Sequence, residues 1–487
     1  MKQMRPILLI FFFFPLLGFG QNVNIPDANF KSYLVGNTSI NTNGDTVIQL
    51  SEATAFTGSI NCNGLGISNL IGIEAFIALT GLNCGHNQLD SLDVSANTAL
   101  INLNCEHNQI DSLDISVNTA LTALICHHNQ LLSLDISTNT NLNVLGCNDN
   151  QLTSLDISLN TALNALYCNN NQFTSLDISA NAALVSLHCS SNQLTSLILS
   201  VNTALRDLYC FNNQLTSLNV STNTALEILY CFSNQITSLD VSTNTALTNL
   251  NCSFNQLTNL DVSTNTALVL LECASNQLTN LDVSTNTALD RLECSYNQLD
   301  SLDVSANLTL NILACNGNQL TNLDVSTNTA LDKLECSYNQ LDSLDVSANT
   351  NLSQIWCKYN QLTSLDLRNG NNINFPIGVW PGLRAVGNSN LACINVDDSL
   401  YSANNWFFGN DPNIEYSIDS THYFSTNCNL VIVGLDEKEI STSPIYIYPN
   451  PAINILNIDV SNSLNYGTTL YDSQGRRIIS KINQPAI

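Results

Sequence analysis

The chain has 487 residues, with 39 acidic side chains against 13 basic ones and a formal net charge of −26. Such a balance excludes nucleic acid as a partner, because phosphate binding needs a basic face, and it disfavours anionic membrane surfaces. Apolar residues make up 44% of the chain, enough to exclude a disordered polymer.

Residues 1–20 read as a secretory signal peptide. Lys2 and Arg5 precede an apolar run from Pro6 to Phe19, and Gly20 supplies a small residue for cleavage. The run is short for a membrane span, and no later stretch reaches about 20 apolar residues. The chain is therefore expected to be secreted or on the outer cell surface, with no transmembrane segment.

Residues 21–61 form an N-terminal cap. In "NIPDANFKSYLV" a helix opens at Pro26 and carries Phe30, Tyr33 and Leu34 on one face. The following "NTNGDTVIQLSE" places oxygen side chains at Asn41, Asn43 and Asp45 and ends on Glu52. This spacing resembles an EF-hand calcium loop. It departs from that pattern in having Asn at the first position and Thr46 where the loop needs glycine. Calcium is the one cofactor considered, and the competing reading is a polar turn between two cap elements.

Residues 62–370 are a repeat. From Cys84 to Cys357 a cysteine recurs every 21 residues, each followed by Asn at the third position and Gln at the fourth. The unit is LxxLxCxxNQLxxLDVSxNTA, present 14 times. Its two halves both read LxxLx-apolar-xxN, and the final two-residue step is strand alternation. Each turn is thus predicted to hold an extended segment on either side, with a bend at each asparagine. One turn cannot bury its own apolar edge, so the turns stack. Proline is absent from 27 to 375, as a ladder that uses every N–H requires. The ladder cysteines read as small core residues, because parallel side chains in adjacent turns are poorly placed for bridging.

The LxxLxCxxNQL unit resembles the leucine-rich repeat, with cysteine at its third leucine. Its length and nested LDVSxN half resemble the short bacterial class. The resemblance implies a leucine-rich repeat solenoid, β-rich with parallel in-register strands and little helix. It implies a curved solenoid that binds a macromolecule on the face of the LxxLxCxxN strands.

Residues 371–428 form a C-terminal cap, where Pro376, Trp380 and Pro381 break the pattern. Cys393 and Cys428 stand outside the ladder and are the candidate disulfide in an exported chain. Residues 429–443 read as a linker. The remainder, 444–487, is a small β module in which "YPNPA" (Tyr448 to Ala452) and "YDSQGRRI" resemble the sorting domain of type IX secretion substrates. That domain usually continues with further strands, so this one is read as partial.

No GxSxG elbow, Walker loop or HExxH occurs in the sequence, and the chain is read as a non-enzyme. The LDV aspartates, from Asp93 to Asp366, form a row interrupted at Ile198 and Asn219. They are read as a solvated face, against weak calcium binding between turns. His86, His107 and His128 share one slot in consecutive turns, beside Glu106 and His127. Such spacing suits zinc, copper or a pH-sensitive patch, against a reading as polar fillers. Tyr167, His188, Tyr209 and Tyr230 precede the cysteine in four consecutive turns, and Phe211 and Phe232 follow it in two. Flanking an inward cysteine, they point outward, either as a ligand site or as cross-turn stacking. A second aromatic set, Tyr296, Tyr338, Trp356 and Tyr359, lies further on. The expected function is a monomer presenting a rigid repetitive face to a protein or glycan partner. The alternatives are a structural surface component without a ligand and, from the Ser/Thr rows, an ice-binding array.

Overall fold

The computed structural model describes residues 21–376, 382–406, 418–419 and 421–428, with the backbone of four short strands between 445 and 478. The expected leader at 1–20, the linker at 429–443 and the 380–381 break lie outside the described residues. The chain falls into two compact units, Met1–Ala183 and Leu184–Ile487.

In the first unit, Asp27 starts helix Ala28–Gly36. Its Oδ1 accepts from the N–H of Asn29 and Phe30 at 3.0 and 2.9 Å, and its Oδ2 accepts from Ser68 N–H and O–H at 2.8 and 2.9 Å. One carboxylate thus caps the helix and ties it to the repeat. Phe30 and Leu34 are fully buried, while Tyr33 is half-buried and accepts the Asn61 N–H. Six three-residue strands follow, from Ser59–Asn61 to Ala165–Tyr167. They pair in parallel with a constant register, Leu82 opposite Leu103 and Leu103 opposite Leu124.

The second unit continues the same arithmetic from Ser186–His188 to Gln354–Trp356, with Leu229 opposite Leu250 and Leu250 opposite Leu271. Each leucine is buried while its two strand neighbours are half-buried. The cysteine after each strand prolongs the ladder, Cys252 N–H donating to Glu272 C=O at 2.8 Å.

Two asparagines per turn replace the strand hydrogen bonds that bends would lose. Asn276 Nδ2 donates to the carbonyls of Cys252 and Cys273 at 3.1 Å, and its Oδ1 accepts from Leu257 N–H at 3.0 Å. Asn286 Nδ2 donates to Val262 and Asn265 carbonyls at 3.0 and 2.9 Å. Both are buried, and each joins neighbouring turns by side-chain amides where backbone groups cannot meet.

The second extended segment expected in each turn does not form a ladder through the first unit. Among the described residues its strands begin at Ser343–Asp345, which pairs with Ser364–Asp366, then Cys393–Asn395 and Tyr423–Ser425. The LDV segment closes a local turn. Asp93 Oδ1 accepts from Ser95 N–H at 2.9 Å, Asn97 N–H donates to Val94 C=O and Leu100 N–H to Asn97 C=O. Where the strand does form the same turn is present, Ser347 N–H donating to Asp345 Oδ1 at 2.9 Å and Asn349 N–H to Val346 C=O, so this turn alone does not decide the pairing. Asn219 makes the same contact with Ser221 N–H at 3.0 Å. The slot therefore selects a side-chain oxygen rather than a charge, which accounts for the aspartate row. Ile198 lacks that oxygen and stands 71% exposed.

The 15 ladder cysteines are free and buried. Burial pushes the thiols of Cys105, Cys147 and Cys231 up to about 12, so they remain protonated core atoms.

In the C-terminal cap, Trp406 packs between Phe375 and Phe424, with ring centroids 5.2 and 5.5 Å away. Cys393 and Cys428 form a disulfide with Cα atoms 5.6 Å apart across 35 residues. Closing a loop of that length stabilises the cap by about 4 kcal/mol. Reduction is therefore expected to speed amide exchange in Cys393–Asn395 and Tyr423–Ser425 and leave Asn249–Asn251 unchanged, as hydrogen-exchange mass spectrometry would read. Further on, Ile445–Tyr448 pairs antiparallel with Asn457–Val460, and Leu470–Tyr471 with Arg477–Ile478.

Candidate functional site

The residue two places after each ladder cysteine has positive φ, from 50° at His107 to 69° at Gly64. The chain turns there from the strand into the asparagine bend. Asn, Asp, His and Gly tolerate that conformation best, and His86, Asp149, Asn170, Asn212 and Gly317 fill the slot accordingly. Phe254, Tyr296 and Tyr338 do not fit this preference, yet they adopt φ of 54°, 56° and 58°. Their rings are 59%, 59% and 47% exposed. Tyr296 lies across Gly317, where an added Cβ would sit 2.6 Å from its ring. Tyr338 stacks on Tyr359 at 4.7 Å.

These rings wall one side of a trough of about 480 Å³ in the second unit. Its floor is the row directly after the cysteines, where Ser253, Ser295 and Ser337 are small and buried. The opposite wall is the row directly before them, Glu272, Glu293 and Glu335. Burial, then the neighbouring Glu293, raise the Glu272 pKa, partly opposed by Arg291. Arg291 Nε lies 3.1 Å from Glu272 and its other arm reaches Glu293. Lys333 Nζ meets Glu335 at 2.6 Å. At one end Trp356 lies between two cations, Lys333 at 5.0 Å and Arg384 at 4.5 Å from its ring centre. Phe232 lines the trough beyond Asn251.

Most of the aromatics singled out from the sequence stack on one another. His188 lies 4.2 Å from Tyr209, Tyr209 5.0 Å from Tyr230, and Phe211 stacks on Phe232 at 4.3 Å and 8°. All are half-buried. Tyr167 occupies the same slot at the end of the first unit and is half-buried as well. Burial first, then Tyr230, raises the Tyr209 pKa, and burial lowers that of His188. Of the six, Phe232 borders the trough. Phe254 and the three glutamates were not singled out from the sequence. The signal for Phe254 is a bulky ring in a slot otherwise dominated by turn residues.

Asn41, Asn43, Asp45 and Glu52 come together in the cap, with their oxygens engaged by donors. Glu52 accepts from the N–H groups of Thr42, Asn43 and Gln49 at 2.8, 3.2 and 3.0 Å, and so caps helix Leu50–Ala55. Asp45 accepts from Val47 N–H and the Gln49 amide, and Asn41 from Gly44 N–H. Burial opposes ionisation of Glu52, but these N–H donors outweigh it and hold its pKa below the usual value. Its stabilisation is present at neutral pH and lost as pH falls through that depressed value. Glu52→Ala is expected to cost about 2 kcal/mol of cap stability, read as faster amide exchange at Thr42, Asn43 and Gln49.

A solved structure described as "Functional domain of InlJ from Listeria monocytogenes includes a cysteine ladder" is 34% identical over 77% of this chain and 82% of that one, with a TM-score of 0.68. The chain belongs to the leucine-rich-repeat family, with a cysteine ladder of the InlJ kind. Leucine-rich-repeat protein LIC12759 of Leptospira interrogans shares the fold at 22% identity, 72% and 91% coverage and a TM-score of 0.55. So does internalin InlF of Listeria monocytogenes, at 21% identity, 78% and 98% coverage and 0.51. No curated protein matches the chain. Residues 446–486 match the secretion system C-terminal sorting domain, which implies export to the cell surface. Among the described residues no helix is long and apolar enough to cross a membrane.

Proposed function

We propose that this leucine-rich-repeat protein is a non-catalytic, monomeric surface receptor or adhesin that binds an extended, basic segment of a protein partner in the trough. The observation that carries the reading is the set of exposed rings at Phe254, Tyr296 and Tyr338, each held at positive φ. Backbone strain of this kind persists where surrounding structure enforces it and concentrates at functional sites. The glutamates, partly paired with Arg291 and Lys333, offer carboxylate acceptors opposite the rings in a chain of net charge −26, and small serines leave the floor accessible to an extended chain. Tyr209, Phe211, Tyr230 and Phe232, with His188, prolong the aromatic surface of the second unit towards its N-terminal end. Their stacking also supports a second reading, in which they stiffen the array and the chain is a structural surface component.

An array of peptides, surface proteins and glycans probed with the full chain tests the proposal. The expected result is capture by lysine- or arginine-rich extended peptides, weakened by salt. Capture by glycans alone would replace the partner class, and no capture would favour the structural reading.

A further inference from the structure

The first unit carries a cluster that neither the repeat nor the trough explains. Four of the chain's six histidines meet on its outward strand face. His86, His107 and His128 hold the positive-φ slot in consecutive turns and stack, with ring centres 4.2 and 4.0 Å apart. His127 projects beside them and meets His107 and His128 edge-on at 5.4 and 5.2 Å. One ring nitrogen from each of His107, His127 and His128 lies within 4.8 Å of the others.

We propose that His107, His127 and His128 bind a late first-row divalent cation, zinc or copper. Imidazole nitrogen suits both metals. A tetrahedral zinc with bonds of about 2.0–2.1 Å holds its ligand nitrogens about 3.4 Å apart, a closure that side-chain torsions supply. The support around His127 is that of a metal ligand. Its Nε2 lies 2.6 Å from Glu106 Oε2, so Nε2 donates and Nδ1 keeps the lone pair. Nδ1 is buried with no hydrogen-bond partner, and a cation supplies the missing partner. A carboxylate behind a ligand imidazole fixes its tautomer and raises its basicity. Glu106 has room for that role because Gly85 occupies the facing slot, where a Cβ would sit 2.9 Å from Glu106 Cγ. Asp149 lies 3.4 Å from His128 and adds charge at the open side. The ladder thiols do not compete, being buried and held protonated.

The test uses the full chain, stripped with chelator and titrated separately with zinc chloride and copper sulfate by calorimetry. One equivalent is expected to bind, with a dissociation constant of about 1 µM or below. His127→Gln and Glu106→Gln are each expected to weaken binding at least about tenfold, and His188→Gln to leave it unchanged. His107→Asn keeps a residue that the positive-φ slot accepts, as at Asn170 and Asn212, so it separates lost ligation from misfolding. In the copper arm, electron paramagnetic resonance is expected to show fewer coupled nitrogens in His107→Asn. Absence of binding for both metals overturns the proposal, as does binding that His127→Gln does not weaken. Binding of one metal alone identifies the cation.

Discussion

Replacing Phe254, Tyr296 and Tyr338 together by asparagine is expected to abolish partner binding while raising the stability of the second unit. The two effects share one cause. At positive φ an L-residue with a bulky side chain pays on the order of 1 kcal/mol, whereas asparagine enters that region readily. Asn212 already fills this slot in another turn of the same unit. The rings at 254 and 296 are more exposed than buried, so removing them forfeits little packing. The net gain expected is about 2 kcal/mol for the triple substitution. Binding moves the other way, because aromatic anchors carry most of an interface's energy and a loss of about 2 kcal/mol or more per anchor is typical. Replacing Phe211 and Phe232 by serine reverses the stability sign. Their rings stack face to face at 4.3 Å and their loss removes half-buried apolar area. Urea midpoints and peptide affinity measured on both variants separate ring-as-ligand-site from ring-as-brace. A triple variant that loses stability, or that keeps its affinity, would refute the assignment.

Much of the fold was legible from spacing alone. The 21-residue interval of Cys84 to Cys357 makes equivalent side chains neighbours, and Leu250 opposite Leu271 is that interval in space. The asparagine after each cysteine marked a bend, but its role as a bridge between turns was not visible, because that depends on which carbonyls come within reach. The LDV half misled: its alternation matches a strand, yet among the described residues paired strands form there only from Ser343–Asp345 onward, although the Asp–Ser turn is the same at Asp93 and Asp345. At the site, outward aromatics could be counted from the pattern, whereas ring stacking at His188, Tyr209 and Tyr230 depends on the distance between turns. The positive-φ slot was open to reading, since its occupants are mostly His, Asn, Asp, Ser and Gly. Phe254 departs from that composition. The spacing of Asn41 to Glu52 serves both a helix cap and a calcium loop, because the two ask for the same oxygens at nearly the same positions.

Alkaline pH is expected to unfold the protein through the cysteine ladder. Burial raises the thiols of Cys62, Cys105 and Cys147 from an ordinary 9.0 to about 12, and Cys252 and Cys273 are also raised well above it. The folded chain therefore holds these protons at pH values where the unfolded chain releases them. A folded-state pKa above the unfolded one contributes stability fully below pH 9 and loses it as pH rises towards 12. Half a unit above 9, each thiol costs about 0.8 kcal/mol, and a full unit above, about 1.4 kcal/mol. Over the 14 ladder cysteines whose thiols burial raises the first figure amounts to about 11 kcal/mol, comparable to the entire stability of an ordinary domain. Tyrosines titrate nearby, so the contrast must be internal. In a variant with Cys210, Cys231, Cys252, Cys273 and Cys294 changed to alanine, the loss between pH 7 and 9.5 should be smaller by about 4 kcal/mol. Urea unfolding under reductant at the two pH values gives that loss for each protein separately, which cancels the cavities that alanine leaves. Equal losses in the two proteins would show that the thiols ionise as freely folded as unfolded, and the ladder would then not be the dry core its burial describes.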